Sequence, residues 1–454
     1  MVFGHFRGLR RIVLLSVAAA SLAVPAVPVE ASSPPPRPSF ADGAGLHVLG
    51  VTRFDERDYN VQVLSPYLGR PINVRLLLPV GYPDHSEERY PTLYLFHGTS
   101  GRASDWIDSG GAKQTTAPYP LITIMPEAGL DGDGGFWFTN WVDRSTTHGP
   151  SQFEDYLIRS LIPWVDLNLR TIATREGRAV AGLSQGGYGS AEMAARHPDM
   201  FVSMASFSGA PEIERDPDLF AGAIAIIEAI QVGEDHVPPF SELGSPVLDR
   251  INWAGHDPAT LISNLRGMSI DLWTGMGFDG PYDQTPSPGG SAIEGAVYES
   301  TQHFYDHLVA EGIPAYYDNY VYGTHSFPYW ARDLRAYVPM MMADFPQPKR
   351  PSVISYMSID RQWSQWGYTV SMNRAAGQEF STLSDGTRRG FSISGSGTAT
   401  VTTPAQYQPG SDVGVTVSRP TGSTAQMIPV GPDGRLTIVI PLGPGSQARV
   451  GIDA

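Results

Sequence analysis

The sequence predicts an α/β protein with a mainly parallel sheet, followed by a small all-β sandwich at its C-terminal end. Three observations carry this reading. Between residues 46 and 343 short β-branched or aromatic runs alternate with longer helical patterns, the arrangement a parallel sheet with crossover helices requires. One glycine-rich pentapeptide, Gly182-Leu183-Ser184-Gln185-Gly186, falls between such a run and a helical pattern. Beyond FPQPKRPS at 345–352 the chain turns rich in Ser, Thr, Gly and Val with short alternating runs.

Composition narrows the function classes. The 454 residues exceed what one ordinary core accommodates and suit two domains. With 41% hydrophobic and 17% charged residues the chain lies outside the disordered class. A formal net charge of −15 argues against a general nucleic-acid or anionic-membrane surface. The absence of cysteine excludes disulfide scaffolds, thiolate nucleophiles, thiolate zinc sites and iron–sulfur clusters together. Any nucleophile is therefore an oxygen or a nitrogen.

In chain order, residues 1–31 read as an export signal. Arg7, Arg10 and Arg11 precede the apolar run at 12–29, and Val29-Glu30-Ala31 has small-x-small form. A retained membrane anchor is the alternative, although Pro25 and Pro28 interrupt the run. No later segment is apolar enough to span a bilayer, so the mature chain is expected to carry no transmembrane segment and to be secreted, with cell-wall association open. Residues 32–45 form a proline-rich spacer. Strands are expected at Val61–Leu64, Asn73–Leu78, Thr92–Phe96, Leu121–Met125, Arg178–Ala181, Met204–Ser208, Ser269–Thr274 and Ala315–Val321. Helical patterns run over Gly189–His197 and from about Ile293 to Ala310. About sixty residues separate Ser208 from the next strand. They include the apolar run Phe220–Ile230 and the acidic Gly233–Leu243, either a cover for an acyl pocket or a helix packed on the sheet. Trp106, Trp137, Trp141, Trp253 and Trp330 could line a lipid-like pocket, but aromatics at such positions are more often core, and no role is assigned to them. These strands place an α/β domain over residues 46–343, a linker over 344–352 and an accessory sandwich over 353–454, with runs at Thr398–Thr403, Val413–Ser418 and Leu436–Pro441. Seven arginines against six acids leave the sandwich nearly neutral, so the acidity sits on the α/β domain.

The pentapeptide matches G-x-S-x-G in its confirming context, a strand before and a helix after. Gly182, Gly186 and Gly187 supply the small residues that a strained nucleophile turn needs. A serine hydroxyl is a weak nucleophile and requires a histidine to take its proton and a carboxylate to orient that histidine. His303 and His307 lie within a helical pattern, whereas His325, in Gly323-Thr324-His325-Ser326, follows the last expected strand and can reach across the strand ends. Spacing leaves the acid open among Asp279, Glu294 and Glu299. Oxyanion donors are expected from the N–H groups of Gln185, after the nucleophile, and Thr99, in the loop His97-Gly98-Thr99-Ser100-Gly101 after an early strand. His97 is read as structural.

The segments FHGTSG, IMPEAG with FWFTNW, GLSQGG, IEGAVYESTQHFYDHL and GTHSFPYW resemble the antigen 85 mycolyltransferases, within the esterase D group of α/β-hydrolases, over roughly residues 60–342. The resemblance implies an α/β-hydrolase fold, with Ser184 as nucleophile, His325 as base and Thr99 and Gln185 as oxyanion donors. It moves the acid to Glu294, at the head of a helix and followed by Gly295, with Asp279 as runner-up. One departure is specific. Where the transferases carry an aspartate and, three residues on, an arginine that engage trehalose, this chain has His97 and Ser100.

The expected function is a secreted serine esterase with a Ser-His-Glu triad, acting on an acyl ester or lipid-like substrate without metal or cofactor. The alternative is an acyltransferase that delivers the acyl group to a sugar acceptor such as trehalose or a cell-wall polysaccharide. A remote third reading is a non-catalytic surface-binding protein. Three roles stay open for the sandwich: carbohydrate binding, resting on the catalytic domain, or wall association.

Overall fold

The computed structural model describes residues 38–128, 137–142, 151–214, 238, 240–375 and 377–453. The leader, the start of the spacer, the run Phe220–Ile230 and the first part of the acidic stretch after it lie outside the described residues.

Nine strands form the first sheet: β1 (His47–Arg53), β2 (Asp58–Leu64), β3 (Pro71–Leu77), β4 (Thr92–Phe96), β5 (Ile122–Pro126), β6 (Arg178–Leu183), β7 (Ser203–Phe207), β8 (Ser269–Phe278) and β9 (Tyr316–Tyr322). Their spatial order is β1-β2-β3-β5-β4-β6-β7-β8-β9. From β5 to β9 every neighbouring pair is parallel, while β1, β2 and β3 add an antiparallel edge. All eight strands expected here occur, and the fold class is the α/β class read from the sequence. β1 is the addition: an edge strand with nearly every side chain exposed shows no apolar alternation to read.

The inner parallel strands β4 to β7 and most of β8 are buried on both faces, and the period-two alternation of their side chains builds two cores. Tyr94, Phe96, Val180, Met204, Ile270 and Leu272 face one side. There they meet α1 (Ile162–Asn168), α2 (Gln185–Arg196) and α3 (Pro288–Ala310) through Trp164, Ala191, Ala194, Phe304 and Leu308. Leu93, Leu95, Ala179, Ala181, Ala205, Phe207 and Trp273 face the other side and meet Trp330, Leu334, Tyr337 and Met341 of α4 (Phe327–Asp344). Of the five tryptophans left without a role, Trp106 and Trp330 belong to this second cluster, Trp137 and Trp253 to a smaller one, and Trp141 is buried.

The C-terminal region is all antiparallel: β10 (Ile354–Ser358), β11 (Gln362–Gln365), β12 (Tyr368–Asn373), β13 (Ser381–Thr387), β14 (Gly390–Thr402), β15 (Asp412–Arg419), β16 (Gly422–Pro429) and β17 (Thr437–Asp453). The eight strands form one continuous sheet. Its long strands change partners midway. The first half of β14 pairs with β13 and the second with β12, and the switch falls at Gly395 and Gly397, whose φ values of 146° and 79° only glycine adopts readily. β17 follows β14 along both halves. Tyr368, Val370 and Met372 of β12 share one core with Leu383, Phe391, Val415 and Val450, so the sheet closes over itself.

Candidate active site

Ser184 sits where β6 ends and α2 begins, with φ 53° and ψ −125°, a conformation rarely adopted by a residue with a side chain. Its neighbours explain why the turn holds. A Cβ on Gly182 would stand 2.2 Å from the Gly186 carbonyl oxygen, and one on Gly186 would stand 2.3 Å from the His97 carbonyl oxygen. Helix and strand therefore approach through glycine backbone alone. The Ser184 N–H donates to the Phe207 carbonyl at 2.9 Å, which ties the elbow to β7.

His325 reaches this serine from the loop between β9 and α4. Ser184 Oγ lies 2.8 Å from His325 Nε2, and His325 Nδ1 lies 2.7 Å from Glu294 Oε2. The imidazole edge packs against the Trp330 ring at 4.9 Å. Since the carboxylate can only accept, Nδ1 carries the proton and Nε2 is left as the acceptor for the serine hydroxyl.

Glu294 lies in the second turn of α3 and has no solvent exposure. Burying a carboxylate is costly unless its oxygens find donors. Here Oε2 faces His325, while Oε1 accepts from the Gly275 N–H at 2.7 Å and the Ser208 hydroxyl at 2.8 Å, with the Thr274 hydroxyl at 3.2 Å. Ser208, at the end of β7, itself has a φ of 48°. Sequence reasoning missed it, because nothing local distinguishes this serine from others at strand ends. Asp279 is exposed just past β8 and takes no part in this line, and Glu299 lies on α3 beyond it. His303 and His307 are on α3, as expected, facing Glu212 at 3.7 and 3.4 Å.

The loop His97–Gly101 runs against Ser184: a Cβ on Gly98 would come within 3.1 Å of Ser184 Cβ. His97 is buried, and burial pushes its pKa down, so the ring is neutral. Its Nε2 accepts from the Ala128 N–H at 3.0 Å, leaving Nδ1–H to donate to the Gly98 carbonyl at 2.8 Å. The Gly101 N–H donates to that same carbonyl at 3.1 Å. A trans peptide directs the next N–H opposite to its carbonyl, so these two bonds set the direction of the Thr99 N–H. The structural part read for His97 is what the geometry gives it. Gln185 opens α2, and its N–H is one of the first-turn donors without an intrahelical acceptor. Among the described residues no three His, Asp or Glu side chains stand close enough to hold a metal ion.

Parallel sheet, elbow serine and the histidine–carboxylate pair together define a protein of the α/β-hydrolase class. More particularly, the chain belongs to the putative esterase family, which it matches over residues 65–341. It is similar to esterase Rv1288 of Mycobacterium tuberculosis, 32% identical over 280 residues that cover 60% of this chain and 57% of that protein. The chain thus spans little more than half the length of that curated relative. It is also 26% identical over 294 residues to the diacylglycerol acyltransferase/mycolyltransferase Ag85B of Mycobacterium leprae, covering 62% of this chain and 81% of that one. The crystal structure of Mycobacterium tuberculosis MPT51 superposes with a TM-score of 0.51 at 25% identity, covering 63% of this chain and 98% of MPT51. The likeness to the antigen 85 and esterase D group read from the motifs holds. No helix among the described residues is long and apolar enough to cross a membrane.

Proposed function

We propose that the chain is an exported serine carboxylic ester hydrolase working through an acyl-enzyme on Ser184. The observation that carries this reading is the continuous line from Ser184 Oγ to His325 Nε2 at 2.8 Å and from His325 Nδ1 to Glu294 at 2.7 Å. Ser184 Oγ attacks the ester carbonyl carbon while its proton passes to His325 Nε2. Glu294 stabilises the imidazolium, and the N–H groups of Gln185 and Thr99 receive the oxyanion. Collapse breaks the ester C–O bond and His325 returns the proton to the departing alkoxide. A second nucleophile, deprotonated by His325, then releases the acid or the new ester. This cycle needs no metal or cofactor.

Water as the second nucleophile makes an esterase; a sugar hydroxyl makes an acyltransferase. The similarity to a protein named as an acyltransferase supports the second reading. His97 and Ser100, in place of the acceptor-engaging pair, favour water. The same reading takes residues 1–31 as a cleaved leader, 46–343 as the catalytic domain and 353–454 as an accessory domain, the mature protein being secreted.

The test is mass spectrometry of the protein after brief exposure to p-nitrophenyl butyrate, for wild type and Ser184→Ala, chased with water or with trehalose. Wild type is expected to gain the butyryl mass, release nitrophenol and return to its starting mass in water, and the variant to do none of these. Acyl-trehalose in the chase would favour the transferase. An unreactive wild type, with longer acyl chains as well, would turn attention to a surface-binding protein.

A further inference from the structure

We infer that Asp283 is a positioning residue that holds the His325 loop in register with Ser184; the inference rests on His325 being the base of the proposed reaction. His325 stands in a four-residue connection, Gly323 to Ser326, between β9 and α4. Three backbone bonds run to it, from the Gly277 N–H to the Gly323 carbonyl at 3.1 Å, from the His325 N–H to the Gly290 carbonyl at 3.2 Å and from the Tyr329 N–H to the Ser326 carbonyl at 3.2 Å, but no regular ladder or helix includes it. A base displaced by about 1 Å can lose on the order of 100-fold in rate. A side-chain bridge across the histidine would therefore add to what these few backbone bonds hold.

Asp283, from the loop after β8, bonds on both sides of His325. Its Oδ1 accepts from the hydroxyl of Thr324, the residue before the histidine, at 2.5 Å. Its Oδ2 accepts from the hydroxyl of Tyr329, in the first turn of α4 four residues after the histidine, at 2.6 Å. The Gly280 N–H also donates to Oδ2, at 2.8 Å, and so fixes the carboxylate to its own loop. Bonds to an ionised acceptor are roughly twice as strong as neutral ones. Although burial opposes ionisation, the Thr324 and Tyr329 hydroxyls and the Gly280 N–H hold this carboxyl below the usual carboxylate range.

Both hydroxyl donors are closely packed. Thr324 is fully buried and Tyr329 nearly so. The Tyr329 ring stacks on Tyr320 at 5.5 Å with 2° between planes, and the Tyr282 ring meets it edge-on at 5.2 Å. It is wedged so closely that a Cβ on Gly280 would stand 2.5 Å from its hydroxyl, and one on Gly323 would stand 2.8 Å from its ring. Two carboxylates thus divide the work on one histidine. Glu294 orients the ring through Nδ1, and Asp283, which touches neither the ring nor Ser184, anchors the backbone that carries it.

The test is steady-state and burst kinetics on p-nitrophenyl butyrate for Asp283→Asn, Tyr329→Phe, Thr324→Val and Thr324→Ser, with Ser184→Ala as reference. An asparagine presents an N–H₂ to at least one of the donors that Asp283 accepts. Asp283→Asn is expected to lower kcat and the burst rate about 10- to 100-fold with KM within twofold of wild type. Thr324→Val should fall in the same direction, and Thr324→Ser should recover what the valine loses, because only the hydroxyl matters. A wild-type kcat in Asp283→Asn, a loss borne by KM, or equal losses in the valine and serine variants would overturn the inference. If Asp283→Asn does not fold, Tyr329→Phe and the Thr324 pair decide by the same criteria. Failure of the underlying reading appears separately, as unchanged turnover in Ser184→Ala.

Discussion

Glu294 is a fully buried carboxylate whose two oxygens do different work. One meets the histidine; the other is saturated by Gly275, Ser208 and Thr274. An amide in its place must aim its N–H₂ either at His325 Nδ1–H or at that set of donors. Glu294→Gln is therefore expected to lower kcat by about 10³- to 10⁴-fold through the wrong histidine tautomer, with substrate binding little changed, as read from kcat and KM on a chromogenic ester. Near the start of β8, the strand that carries Thr274 and Gly275, Asp271 is 5% exposed. Burial lifts its carboxyl to about 7, with Asp344 raising it further and Lys349 opposing. The folded-state value lies above the unfolded one of about 3.9, so the native chain keeps a proton that the unfolded chain has lost. The favourable contribution is complete below about pH 4 and disappears as pH rises through about 7, worth up to about 4 kcal/mol. Asp271→Asn, neutral at every pH, should raise Tm above wild type most at pH 8, less at pH 5, and change it little below about pH 4. Equal shifts at all three would contradict this account.

The decisive element is the strand–turn–helix unit formed by β6, Ser184 and α2. Its serine is presented because glycines let the first turn of α2 pass against β6 and the end of β4 at Phe96 and His97. Gly186→Ala would press a methyl between the His97 and Phe96 carbonyl oxygens, at 2.3 and 2.8 Å, where no flexible side chain can yield. Overpacking of this kind costs about 1–3 kcal/mol or more. The alanine variant is expected to lose several degrees of Tm in thermal melts and most esterase activity together. The need for small residues at 182, 186 and 187 was legible in the sequence, since the motif and its flanking strand and helix are contiguous. The partners they make room for were not, because His97 lies almost ninety residues away along the chain.

At the scale of the whole molecule, the C-terminal sheet is built onto the far end of α2. Tyr356 Oη and Gln365 Nε2 both donate to the carbonyl of Arg196, the last residue of α2, at 2.7 and 3.0 Å. The buried Arg196 guanidinium reaches Asp360 at 3.1 Å and Glu154 at 2.9 Å. Asn264 exchanges two hydrogen bonds with the Met357 backbone, at 2.8 and 2.9 Å, and the Trp366 N–H donates to Asp199 at 2.8 Å. Of the three roles open to this region in the sequence, these bonds favour resting on the catalytic part. The two parts are expected to unfold in one calorimetric transition, and Tyr356→Phe should lower its midpoint by an amount corresponding to about 1 kcal/mol. Two separated transitions would mean that the bonds do not couple the parts.

By itself the sequence determined the alternation of strands and helices, the two textures of chain, the serine elbow and the histidine in the last loop. Each of these is written in contiguous residues, where periodicity and glycine placement act over a few positions. Spacing left the acid open and the resemblance chose Glu294; only the tertiary structure brings that carboxylate to His325 and decided that Ser208 serves Glu294, that Asp283 spans the histidine loop, and that the C-terminal sheet closes as one surface against α2. Those choices join residues such as Ser184 and His325, 141 positions apart. They depend on strand order and register, and on which side chains the packed core turns toward one another at the ends of the strands.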